Sequence, residues 1–246
     1  MSAAPLLRLA GVHTHLGAFH ILHGVDLEVP EGEVTVLLGR NGAGKTTTLR
    51  TIMGLTPASA GTISFDGQPL QARATPDIAR LGLAYVPENM GIFGDLSVRE
   101  NLLLAARGAR RLEQIDAKRL DAIFVLFPAL KTFWLHPAGT LSGGQKQMLA
   151  IARALVEPRR LLLVDEPSKG LAPAIVANLI GALRDLKATR TTLLLVEQNF
   201  AMARALGDGV AVIDDGRVVH RGRMAALADD AALQHRLLGL SLGGRA

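Results

Sequence analysis

Cysteine is absent from all 246 residues, which excludes a disulfide framework, a thiolate nucleophile and any cysteine-built metal site. Aromatic residues are scarce too, at 4% of a chain that is 49% hydrophobic, so the core rests on Leu, Val, Ile and Ala, the usual makeup of buried parallel strands. Long apolar runs are missing. The best candidates, LLLV at 161–164 and again at 193–196, are strand-sized and far short of the roughly 18 residues that cross a bilayer. The opening MSAAPLLRLAG lacks an apolar segment behind a charged start, which argues against a secretory signal and for a cytoplasmic location. The net charge of +5 comes from 27 basic residues spread along the chain, with no basic arm of the kind that grips nucleic acid. Neither an internal repeat nor a low-complexity tract is evident, and the length suits one large α/β domain carrying an inserted subdomain.

The patterning supports that division. Alternation at Val25, Leu27 and Val29 predicts a half-buried strand, and VTVLL at Val34–Leu38 a fully buried one ending at a glycine, with a helix starting near Lys45. Further strands are expected at 62–65, 83–86, 161–164 and 193–196, the last two separated by a helix over about 172–187. This alternation implies a mainly parallel sheet with packed helices. Asp215-Gly216 between two β-rich runs signals a hairpin. Between 97 and 155 the pattern turns helical, with helices expected at 98–107 and 112–126, and a short helical tail is expected over 221–246.

Three motifs carry chemistry. GRNGAGKTT fits the phosphate-binding pattern G-x-x-x-x-G-K-[ST], placed after a buried strand and before a helix. Gly39, Gly42 and Gly44 let the backbone curl so that the N–H groups around Asn41, Ala43 and Thr47 face phosphate oxygens, aided by the helix N-terminus. Lys45 would bridge β- and γ-phosphates and the Thr46 hydroxyl would meet Mg²⁺, so ATP and Mg²⁺ are the expected ligands. LLLVDE then ends a buried strand in two carboxylates, at the strand end where ligands gather in parallel sheets. Asp165 suits Mg²⁺, and Glu166 suits a base that activates the attacking water. The third motif, LSGGQ at Leu141–Gln145, opens a helix with an apolar stripe at Met148, Ala152 and Leu155. Ser142, Gly143 and Gly144 leave open N–H groups there, a second anion site in one chain, and Gln145 completes the candidate nucleotide-contacting set.

At this point the sequence resembles the ABC ATPases across nearly its whole length, with their motif order intact. The resemblance implies a P-loop NTPase (RecA-like) core with a mainly parallel sheet, an N-terminal antiparallel β region and the inserted helical subdomain. It also implies a head-to-tail dimer in which Ser142 and Gly144 of one subunit cap the γ-phosphate held by Lys45 of the other. SKGLAP at Ser168–Pro173 resembles the loop that crosses that interface. VPE at Val86–Glu88, GLAP at Gly170–Pro173 and LLVEQN at Leu194–Asn199 resemble ATP-binding subunits of branched-chain amino acid importers. Such subunits imply permease partners in the membrane, a second ATPase subunit, a periplasmic binding protein acting indirectly, and a place on the cytoplasmic face of the inner membrane.

Departures from the broader family fall at contact positions. Glu88 stands where most members have a glutamine near nucleotide and metal, Gln198 where most have a histidine, and Leu16 where an aromatic residue stacks on adenine. Gln198 keeps a donor but no charge. The segment after Glu88, with Phe93 and Leu96, is a candidate contact for a membrane-domain helix. His13, His15, His20 and His23 cluster in a strand–loop stretch without acidic or cysteine partners, which reads as incidental placement rather than a metal site. A lipid exporter or a non-transport ATPase acting on nucleic acid or ribosomes would share these motifs. One motif set and no sustained heptads speak against the latter.

Overall fold

The computed structural model describes residues 4–106 and 114–239. The chain opens with β1 (Leu7–Leu16), β2 (Phe19–Val29) and the phosphate-loop strand β3 (Val34–Leu38), followed by α1 (Lys45–Ile52). Next come β4 (Ala58–Phe65), β5 (Gln68–Pro69), α2 (Thr75–Arg80) and β6 (Leu83–Val86). A helical arm follows: α3 (Val98–Ala105), α4 (Ala117–Leu126), α5 (Pro128–Thr132) and α6 (Gly143–Leu155). The chain returns through β7 (Leu161–Asp165), α7 (Pro173–Ala188), β8 (Thr192–Glu197) and α8 (Phe200–Leu206), then β9 (Gly209–Asp214), β10 (Arg217–Arg223), α9 (Met224–Asp229) and α10 (Ala231–Leu238).

Among the described residues the strands form two sheets. One is antiparallel, in the order β2-β1-β4-β5; the other runs β10-β9-β3-β8-β7-β6, parallel from β9 to β6 with β10 antiparallel at its edge. Strand periodicity explains the layering. Val36, Leu38, Leu162, Val164, Leu193 and Leu195 face the helical side, while Leu37, Leu161, Leu163, Leu194 and Val196 face α1 and the antiparallel sheet. Both faces are therefore apolar, as continuous Leu/Val runs require.

The expected strands, the 172–187 helix and the hairpin are all present. Asp215 and Gly216 both take positive φ, the geometry that a two-residue hairpin loop demands. Gly216 N–H then donates to the Ala43 carbonyl at 3.0 Å, so the hairpin tip braces the phosphate loop. Three boundaries differ. β10 runs through Arg223, so the helical tail begins at Met224 rather than at 221, because the strand keeps pairing with β9 as far as Arg223↔Gly209. The second arm helix starts at Ala117, where Asp116 caps it by accepting from the Lys118 N–H; the expected start at Leu112 lies outside the described residues. The first arm helix ends at Ala105, and the expected end at Arg107, like the tail beyond Gly239, lies outside them as well. No helix among the described residues is long and apolar enough to cross a membrane.

Candidate functional site

The phosphate loop is built by close approach. A Cβ on Gly39 would stand 2.4 Å from the Ile213 carbonyl oxygen, and Gly42 and Gly44 sit at φ +80° and +104°, so side-chain-bearing residues are strained there. α1 begins at Lys45 with no side-chain cap, leaving its first N–H groups open toward the loop. Ala43 is buried and its N–H donates to the Arg40 carbonyl at 3.3 Å.

Above the loop lies a cavity of about 290 Å³ lined by Leu16, Ile21, Asn41, Gly42, Gly44, Lys45, Thr46, Thr47, Glu88, Glu166 and Lys169. Lys45, only 4% exposed, donates to the Gly39 and Arg40 carbonyls, both at 2.9 Å, and pairs with Glu166 at 3.0 Å. Gln198 Nε2 reaches both Glu166 oxygens at 2.8 Å and Asn41 Oδ1 at 2.6 Å. Burial pushes the Glu166 carboxyl up, but the hydrogen bonds from Gln198 and Lys45 and the charges of Lys45 and Lys169 outweigh it and hold the group below the ordinary glutamate range. Glu166 itself takes φ +44°, and its N–H donates to the Val196 carbonyl at 2.9 Å.

Asp165 faces a different cleft from Glu166. Its oxygens accept from the Thr46 hydroxyl at 3.2 Å and the Tyr85 hydroxyl at 3.1 Å. Burial raises its pKa, opposed by those two bonds. Tyr85 is raised in turn, first by burial and then by the Asp165 charge. Thr46, Asp165 and Glu88 border one cleft with Tyr85. Hydroxyl and carboxylate oxygens so gathered suit a hard divalent cation such as Mg²⁺, and the open helix N-terminus beside them suits phosphate.

Ser142, Gly143, Gly144 and Gln145 stand outside this cavity. They start α6, where the Ser142 hydroxyl accepts from Gln145 N–H at 3.3 Å and the Gln145 side chain accepts from Ser142 N–H at 2.9 Å, a reciprocal capping box. The Ser142 N–H is therefore not open as expected, because the Gln145 side chain takes it. Gly144 is needed for packing too, since a Cβ there would lie 2.2 Å from Ile175 Cγ2.

Four contributors escaped the sequence reading. Lys169 pairs with Glu88 at 2.6 Å and approaches Glu166 at 3.6 Å. Tyr85 holds Asp165. Glu197, 1% exposed, accepts from the Ser168 N–H and hydroxyl and from the Gln198 and Asn199 N–H groups. Asn101, fully buried in α3, brackets the Phe93 N–H and carbonyl. Each sits in or beside a motif already singled out, but only folding brings the partners together. The four histidine rings cluster, with His15 stacked on His20 at 4.1 Å between centroids and His23 tilted against His20 at 4.0 Å. Among the described residues no group of three or more histidine, aspartate or glutamate side chains is gathered in one place as a metal site.

A second groove, about 630 Å³, separates the sheet from the helical arm and is lined by residues including Tyr85, Pro87, Asn89, Met90 and Arg153. Phe93, half exposed, lies against one of these lining residues, with the Arg153 guanidinium 5.1 Å from its ring centroid.

Comparison with known proteins places this geometry. The family model described as ABC transporter matches residues 22–169. The high-affinity branched-chain amino acid transport ATP-binding protein BraG of Pseudomonas aeruginosa is 40% identical over 235 residues, 95% of this chain and 100% of its own length. The probable branched-chain amino acid transport ATP-binding protein LivF of Archaeoglobus fulgidus is 35% identical over 96% of this chain and 99% of its own. Among solved structures, an ATP-binding subunit of an ABC transporter superposes with a TM-score of 0.78 at 32% identity, covering 96% of both chains. An ADP-bound cassette of an ABC transporter reaches a TM-score of 0.81 at 23% identity, over 98% of this chain, which speaks for the fold. Matched over more than half its length and aligned nearly end to end with these relatives, the chain belongs to the ATP-binding domains of the ABC transporter family.

Proposed function

We propose that this chain binds and hydrolyses ATP to power an importer of branched-chain or related amino acids, working from the cytoplasmic face of the inner membrane as a peripheral subunit. The observation that carries the reading is the buried contact of Lys45 and Gln198 with Glu166, at the mouth of a glycine loop built for phosphate. The relatives' names supply the substrate class. The permease subunits would dock at the groove beside Phe93 and Leu96, and a second ATPase subunit would complete the nucleotide site with its own copy of the serine–glycine loop. A periplasmic binding protein would deliver substrate to the permease, and no nucleic acid is involved.

In this mechanism Lys45 exchanges Glu166 for the β- and γ-phosphates, which frees the carboxylate. Glu166 then accepts a proton from the water attacking the γ-phosphate, while Gln198 keeps the carboxylate oriented. Thr46, Asp165 and Glu88 would hold Mg²⁺, which when bound supplies charge neutralisation for the phosphates. The other loop residues, Gly39 to Thr47, orient the nucleotide, and Leu16, 44% exposed at the cavity rim, offers adenine an apolar contact without stacking.

Glu166→Gln tests the chemistry. It should leave ATP binding intact and cut turnover by about 10²–10⁴-fold, the loss expected when a general base is removed. Retained turnover removes Glu166 from that role. For the biology, permease chains and a second ATPase should co-purify with the native chain from membranes; their absence, with nucleic acid or ribosomes in their place, would overturn the transport reading.

A further inference from the structure

We propose that Glu197 is a positioning residue for the ATPase reaction, locking the loop that carries Gln198 to the loop that follows Glu166. The inference rests on the functional reading above and concerns a group that reading does not use.

Glu197 is the last residue of β8, the strand between the phosphate-loop strand β3 and the acidic strand β7. Strand alternation directs it to the face shared by Leu193 and Leu195, away from the nucleotide cavity. A carboxylate at 1% exposure in such a place is costly unless its oxygens are satisfied. They are. Oε1 accepts from Ser168 N–H at 3.1 Å, and Oε2 accepts from the Ser168 hydroxyl at 2.9 Å and from the Gln198 and Asn199 N–H groups, each at 3.1 Å.

These four donors belong to two loops. Gln198 leads directly to Glu166, whose two oxygens it contacts at 2.8 Å. Asn199 caps α8 by accepting from the Met202 N–H at 3.1 Å, so the start of that helix is held in the same network. Ser168 precedes Lys169, the cation that reaches Glu88 and Glu166. One buried side chain thus fixes the backbone beneath two of the groups that contact the proposed base. It touches neither the phosphate loop nor the cavity above it. Its effect should fall on the chemical step and leave nucleotide binding alone.

Glu197→Gln keeps the shape but turns an NH₂ toward donors, leaving at least one N–H or hydroxyl without an acceptor. In the full chain, with whatever partner subunits accompany it, we expect kcat to fall by about tenfold or more while KM for ATP stays near native, since small displacements of a catalytic group carry losses of this order. Because part of the effect runs through Gln198, the double variant Glu197→Gln, Gln198→Ala should lose clearly less than the product of the two single losses. Losses that multiply, or a native kcat in Glu197→Gln, overturn the proposal. A rise in KM without a fall in kcat overturns it equally. Where Glu197→Gln does not fold, Ser168→Ala, which removes one hydroxyl donor, takes its place. It should lower kcat at constant KM, and native turnover then counts against the lock. Lys45→Ala run alongside separates the two readings: turnover surviving that change would refute the ATPase assignment itself, whatever the Glu197 arm shows.

Discussion

Lys45, Gln198 and Lys169 all turn toward one carboxylate, that of Glu166. Lys45 has only three ammonium hydrogens, and two are taken by the Gly39 and Arg40 carbonyls, so a phosphate oxygen competes most directly with Glu166 for the third. The proposed base is thus paired with the residue proposed to hold the phosphates. In the proposed mechanism a Lys45 drawn to phosphate would no longer pair with Glu166, and the lowering of that carboxyl would ease. Gln198 remains beside it as a neutral donor, unable to add charge where negative charge develops in the transition state. Gln198→His should therefore speed ATP turnover in the assembled complex. A steady-state rate that is unchanged or lower would show that the amide's three contacts, to both Glu166 oxygens and to Asn41, matter more than cationic character.

At the scale of elements, the phosphate-loop helix and the two capped helices show what patterning can and cannot convey. α1 has no side-chain cap, and the glycines before it announce that in the sequence. The Ser97/Glu100 and Ser142/Gln145 capping boxes are equally local, each spanning four residues. What stays hidden is the non-local polar contact. Asn101 reads as one polar residue in an apolar helix, yet its amide donates to the carbonyls of Phe93 at 2.9 Å, Leu96 at 3.3 Å and Ser97 at 3.0 Å, and its oxygen accepts the Phe93 N–H at 2.9 Å. It therefore shapes the segment proposed to meet the permease. Asn101→Ala should destabilise the chain by about 2 to 4 kcal/mol through the buried groups it strands, measured by denaturant unfolding. Nucleotide affinity should hold, because Asn101 lies in the arm and not in the loop beneath the cavity. A loss under about 0.5 kcal/mol, the range of an ordinary surface change, would mean that the segment keeps its shape without the clamp.

For the whole molecule, the sequence pattern foretold two layers on a parallel sheet because β3, β7 and β8 are apolar on both faces, and it foretold the cavity because its glycines and acidic pair sit at strand ends. Tyr85, Lys169 and Glu197 were not foretold, since each acts on a partner from a different strand or loop. The same logic governs the serine–glycine loop. Ser142 through Gln145 cap their own helix and form no part of the lining of the cavity that Lys45 and Glu166 share. If a second subunit brings its copy of that loop to the open side of the cavity, binding and turnover become separable properties. Ser142→Arg should then leave the isolated chain's affinity for a fluorescent ATP analogue unchanged. When the loop is disabled in both subunits of the assembled complex, turnover should fall by about 10²-fold or more, as removal of transition-state donors does. Normal turnover in that complex, or weakened binding by the isolated chain, would place the loop's role within a single subunit and end the case for a shared site.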